Sequence, residues 1–172
     1  MDKNTQKSTD GNQFFILGVQ NSNVNSLIQL SNNILVSGGG NGNINFWDIS
    51  AKKHLKTIYN TNDSTIVSLV KLSDKLIASG SWDGFVRIWD VSTSKLVQEM
   101  NEHKSYILFV TKMPNGNIAS SAFDKSIVIW SNSNNNSYEK VQVISTNGTI
   151  AESICGLSDG RLVSTGNSDI LV

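Results

Sequence analysis

The chain has 172 residues, enough for one ordinary domain with a real core, and 14 Lys and Arg against 14 Asp and Glu leave no formal net charge. That balance gives no general attraction to nucleic acid or to an anionic membrane. The hydrophobic share is 38%, and no apolar run approaches the roughly 18 residues of a membrane-spanning helix, so neither is an expected partner.

In chain order, MDKNTQKSTDGN (1–12) reads as a disordered polar tail. It lacks the apolar centre of a secretory signal, and the single cysteine, Cys155, excludes an internal disulfide, so a cytoplasmic location is expected, with the nucleus left open. The Asn-x-Ser/Thr triplets at Asn62, Asn135 and Asn147 then read as chance in an asparagine-rich chain. QFFILGVQ (13–20) looks like a strand with no sheet of its own.

From residue 24 the chain repeats itself. SLIQLSNNILVSGGGNGNINFWD (26–48), SLVKLSDKLIASGSWDGFVRIWD (68–90), FVTKMPNGNIASSAFDKSIVIWS (109–131) and SICGLSDGRLVSTGNSDILV (153–172) align without a gap at offsets of 42, 41 and 44 residues. An apolar residue recurs at Leu30, Leu72, Met113 and Leu157, and a serine at Ser37, Ser79, Ser120 and Ser164. Three units then reach a tryptophan, at Trp47, Trp89 and Trp130.

Inside a unit the signals are those of short strands. SLVKL, LIAS, FVRIWDV and KLVQEM are separated by the turns SDK, WDG and STS, and β-branched and aromatic residues are enriched. No window sustains helical apolar spacing. Each unit is expected to be an antiparallel meander of four strands, and the fold all β.

SGSWDGFVRIWD, with its period near 42 and its four strands per unit, resembles the WD-repeat β-propeller family over residues 24–172. The resemblance implies one four-stranded blade per repeat, about three complete blades plus an incomplete fourth, over 24–62, 63–103, 104–147 and 148–172. It also implies a polar network within a blade, linking a histidine before the first strand, a serine on the second, an aspartate in the next turn and the tryptophan. Repeat three supplies all four, as His103, Ser120, Asp124 and Trp130. Repeat two has Ser79, Asp83 and Trp89 without the histidine, and repeat one has Ser37 and Trp47 with Asn41 in the aspartate's place, so those blades are expected to be held less rigidly.

Chemistry is sparse. The glycine-rich stretch SGGGNGNINFWD (37–48) lacks the Gly-Lys-Ser/Thr ending of a phosphate loop, does not fit Gly-x-Gly-x-x-Gly, and runs into a strand, so it reads as a hairpin turn whose Asn41-Gly42 supplies positive φ. His103 with Ser120 and Asp124 has the composition of a hydrolase site, but the family pattern places them in structure. His54 reads as a solvated side chain, and Cys155 as a small core residue. Two histidines and one cysteine make no metal site, and neither a cofactor nor an enzymatic activity is expected.

The slot before the turn aspartate is Gly40 in repeat one but Trp82 and Phe123 in the next two. Large aromatics in a polar turn point to partner binding or to packing on a neighbouring blade. Tyr106 belongs to the same face on the family pattern, and Arg87 and Lys125 are candidate rim charges. The expected function is a non-enzymatic scaffold or adaptor binding peptides or protein surfaces, with a ubiquitin-pathway adaptor and a small hydrolase using the propeller channel as alternatives. NSNNNS (132–137) is expected to be a disordered loop.

The last repeat stops at Asp169-Ile170-Leu171-Val172, two residues short of its tryptophan position. A four-blade ring closed by strand 13–20, a ring shared by two self-associating chains, and a truncated larger propeller are the arrangements that follow. The broken strand favours the third.

Overall fold

The computed structural model describes residues 5–7, 13–15, 17–18, 20–60, 62–133, 137–166 and 169–171, and their regular structure is entirely β. β1 (Thr5–Lys7) and β2 (Gln13–Phe15) form a small antiparallel hairpin. β3 (Val24–Ser31), β4 (Ile34–Gly39), β5 (Ile44–Asp48) and β6 (Lys53–Ile58) make the first four-stranded sheet. β7 (Ile66–Lys71), β8 (Leu76–Ser81), β9 (Val86–Asp90) and β10 (Lys95–Met100) make the second. β11 (Ile107–Lys112), β12 (Ile118–Ala122), β13 (Ser126–Ser133) and β14 (Ser137–Ser145) make the third. β15 (Ser153–Gly156), β16 (Leu162–Gly166) and β17 (Asp169–Leu171) form a three-stranded sheet. Every pairing is antiparallel between sequence neighbours, so three complete blades and a partial fourth follow one another along the chain.

The meander follows from local turn chemistry. Between the second and third strands of each blade an Asn or Asp side chain accepts a backbone N–H two residues on, Asn41 from Asn43, Asp83 from Phe85 and Asp124 from Ser126. The next residue is left-handed, with φ of +72° at Gly42, +87° at Gly84 and +63° at Lys125. In the first turn only Gly42 takes the positive φ, so the turn differs from the Asn-Gly type read from sequence.

Sheets stack face to face, and each apolar cluster lies between two of them. Val36, Ile44 and Phe46 of the first blade meet Ile66, Leu69 and Ile77 of the second. Ala78, Val86 and Ile88 of the second meet Ile107, Val110 and Ile118 of the third. Ala119, Ile127 and Ile129 of the third meet Ala151 and Ile154 of the partial sheet. The central strands are therefore buried on both faces, which is why β8 is buried throughout while the outer strand β10 is mostly exposed. Close approach needs small residues. A Cβ on Gly80 would stand 2.5 Å from Ile107 Cγ2 and 2.6 Å from Val110 Cγ2.

Three expectations are corrected. The polar tail contains a strand, Thr5–Lys7, and within the strand expected over 13–20 the described residues form a strand at Gln13–Phe15, which pairs with it. Pairing with so near a segment costs far less loop-closure entropy than reaching the partial sheet at the far end of the chain. Within NSNNNS, Asn132, Ser133 and Ser137 belong to the flanking strands, and residues 134–136, the rest of the expected loop, lie outside the described residues. Cys155 is exposed, because Ile154 takes the buried face of β15 and strand alternation sends its neighbour outward.

Candidate functional site

The blade networks set the geometry of one end of the molecule. In the third blade the Trp130 indole N–H donates to Ser120 Oγ at 2.9 Å, and Ser120 Oγ lies 2.8 Å from His103 Nε2. His103 Nδ1 lies 3.1 Å from Asp124 Oδ2, and the same carboxylate oxygen accepts the Lys104 backbone N–H. One proton order satisfies the whole chain. Indole N–H gives to Ser120, the Ser120 hydroxyl to Nε2, and Nδ1–H to the carboxylate. Burial lowers the His103 pKa below its ordinary value, with Asp124 pulling it partly back, so the imidazole stays neutral in this role. Asp124 is lowered too, for a different reason. Burial raises its pKa, but the bonds from Ser126 and the Lys104 backbone, with His103 beside it, outweigh that and hold the carboxyl below its ordinary range.

Ser–His–Asp in this order also describes a hydrolase, but here Ser120 is fully buried and its oxygen already accepts the indole N–H. The arrangement ties a turn to a sheet and presents no nucleophile to a substrate. Among the described residues no group of His, Cys, Asp or Glu is placed to hold a metal ion.

The other two blades, which lack the histidine, hold their turns in different ways. In the first, Trp47 donates to Ser37 at 2.8 Å and Ser37 donates to Gln20 Oε1 at 2.5 Å. Gln20 stands 17 residues before its serine, the same spacing as His103 to Ser120. In the second, Trp89 donates to Ser79 at 2.8 Å, but Asp83 turns to Arg87, whose Nη2 lies 2.7 Å from Asp83 Oδ2. Arg87 Nε donates to Glu99 at 2.7 Å, and the guanidinium rests 4.7 Å from the Phe85 ring centroid. Burial works against the Arg87 charge, and the two carboxylates outweigh it. The first blade thus has a stand-in for the missing histidine in Gln20, while in the second the turn aspartate is taken up by a buried ion-pair cluster of Asp83, Arg87 and Glu99.

This corrects the reading of Arg87 as a rim charge. Its side chain is 1% exposed, because β9 turns it into the sheet, where Asp83 on the turn and Glu99 on β10 converge on it. Lys125 is exposed in the β12–β13 turn. His54 is exposed and stands edge-on to Trp47 at 5.1 Å between centroids.

Two of the three candidate aromatics meet ring to ring, and the third is joined to them through its backbone. The Trp82 N–H is held by the Thr65 carbonyl and the Phe123 N–H by the Tyr106 carbonyl, so each turn is pinned to the segment leading into its own blade. The Trp82 and Tyr106 rings lie 6.0 Å apart at 37°, which joins the second blade to the third. Packing does not hide them, since Trp82 is 51% exposed, Tyr106 56% and Phe123 53%. Together they form a half-open apolar ridge across two blades on an otherwise polar end.

Comparison with known proteins places the chain. The family model described as "WD domain, G-beta repeat" matches residues 11–48, 52–90 and 94–131, more than half of the sequence. No curated protein sequence matches the chain. Among solved structures, the WD40 beta propeller domain of Doa1 superposes with a TM-score of 0.82 at 24% identity, over 97% of this chain and 56% of that one. U3-55K gives 0.74 and the RRP9 WD40 repeats 0.75, each at 19% identity over 87% of this chain and 47% of theirs. The chain spans about half the length of these propellers. With three consecutive repeats matched and three four-stranded sheets each carrying the Ser–Trp bond, the chain belongs to the WD-repeat family of β-propeller proteins.

Proposed function

We propose that the protein is a non-enzymatic interaction scaffold that binds peptides or protein surfaces through the ridge of Trp82, Tyr106 and Phe123. WD-repeat propellers generally mediate protein–protein interaction, and the observation that carries the reading here is that all three rings stay about half open while their backbones are pinned. A pinned backbone leaves only the side-chain rotamers to be ordered on binding, which lowers that cost. Half of each ring is on the order of 100 Å², so covering all three contributes roughly 7 kcal/mol before the costs of association.

Peptides selected from a displayed random library on the wild-type chain are expected to lose binding to Trp82→Ala and Phe123→Ala while the urea midpoint of either variant stays near wild type. Selected peptides that bind both variants unchanged would remove the ridge from the site.

A further inference from the structure

The charges around the ridge are asymmetric, and the asymmetry names a partner chemistry. Asp83 is engaged by Arg87, and Asp124 by His103, Ser126 and the Lys104 backbone, so neither turn carboxylate is free to face a ligand. Glu102 is tied to Lys140 at 2.8 Å. Lys104, two residues before Tyr106, and Lys125, two residues after Phe123, are both exposed, and neither forms a salt bridge among the described residues. Because the Phe123 N–H bonds to the Tyr106 carbonyl, the segments carrying these two lysines are held side by side. At the corresponding place on the second blade the exposed charge is Asp63, leading toward Thr65 and Trp82. The ridge is therefore apolar along its length and positive at its third-blade end.

We infer that this surface takes an acidic peptide, one whose aromatic or aliphatic side chains lie on Trp82, Tyr106 and Phe123 while an Asp or Glu carboxylate meets Lys104 and Lys125. The inference rests on the ridge being the binding surface. Lysines are flexible point charges that suit a single carboxylate, and the arginine nearest the ridge, which could have gripped a phosphate with two parallel bonds, is buried among its own carboxylates. Electrostatic complementarity of this kind sets partner choice and association rate.

The test uses the whole chain and peptides carrying Phe and Leu with, at two positions, Glu, Gln, Lys or phosphoserine, measured by fluorescence anisotropy at low and high salt. The Glu peptide is expected to bind about 2- to 30-fold tighter than the Gln peptide, the range for two exposed ion pairs. That gap should close with added salt and invert toward the Lys peptide in the Lys104→Glu and Lys125→Glu variants. Equal binding of the Glu, Gln and Lys peptides, all lost in Trp82→Ala, would overturn the acidic partner and leave the ridge standing. Binding of every peptide unaffected by Trp82→Ala would overturn the ridge itself. A phosphoserine peptide binding more than tenfold tighter than the Glu peptide would replace the carboxylate with a phosphate.

Discussion

Replacing Arg87 separates the two roles open to it. Methionine keeps the aliphatic length but removes the charge that Asp83 Oδ2 and Glu99 Oε1 both face at 2.7 Å. Breaking a fully buried pair costs about 3–5 kcal/mol, mainly through the charge left behind. Here the carboxylates keep some water, with side chains 20% and 42% exposed, so the expected loss is smaller, about 2–3 kcal/mol. For a chain of this size that lowers the melting temperature by roughly 5–10 °C. Urea titration of Arg87→Met should show the loss, and the double variant Arg87→Met with Asp83→Asn should recover part of it, because the more buried orphaned carboxylate is gone. A rim arginine predicts the opposite pattern, weakened peptide binding at unchanged stability. A loss below about 1 kcal/mol, within the range of an exposed pair, would refute the argument that Arg87 holds the second blade's turn as a buried ion pair.

Acidification should weaken the fold through His103. Its folded pKa lies below the unfolded imidazole value of about 6.5, so the unfolded chain binds more protons below that pH and stability falls as pH drops. Asp124, held below the carboxylate range, adds a further loss below about pH 4. Urea midpoints at pH 7.5 and 5.5 should drop further for wild type than for His103→Gln, and equal drops would count against a neutral buried imidazole. Gly80→Ala should lower stability by about 1–3 kcal/mol by forcing a methyl onto Ile107 and Val110. An unchanged urea midpoint would mean that the two blades are not in close contact there.

The repeat itself was legible because each blade restates the same local constraints. An apolar strand, an Asx turn and a Ser–Trp bond recur at a fixed period, so one unit checks another, and the bonds at 2.8, 2.8 and 2.9 Å fall on the three aligned pairs. The aromatic slot was legible for the same reason, as a departure from that pattern at two known positions. What stayed hidden depends on pairs whose partners only register brings together. Arg87 and Glu99 are 12 residues apart and meet because β9 and β10 pair in that register. Nothing local to Arg87 tells an inward residue of a strand from an outward one unless the phase of the strand is fixed first. Trp89, two residues along the same strand and already assigned to the network, puts Arg87 on the face that carries the Ser–Trp bond. Gln20 was equally reachable, since counting 17 residues back from Ser37 lands on it.

The glycine-rich stretch shows how far a turn motif can mislead about cause. Its glycines answer to different neighbours. A Cβ on Gly38 would press on Ile66 Cγ2 at 2.7 Å, and one on Gly39 would stand 1.8 Å from the Asn23 carbonyl oxygen, while Gly42 alone holds the left-handed turn position. Two of these contacts lie outside the hairpin, one on the next blade and one on the segment leading into the first. Glycine density in this chain therefore records how closely other backbone and side chains approach, and a ligand is not needed to explain it. The same logic assigns meaning to Gly40, whose Cβ would meet nothing closer than 3.7 Å. With no close contact enforcing glycine there, the place that holds Trp82 and Phe123 in the next two blades has room for a side chain in the first. The ridge therefore begins at the second blade because of residue choice and not because of steric exclusion. An aromatic introduced at Gly40 is accordingly expected to extend it toward the first blade.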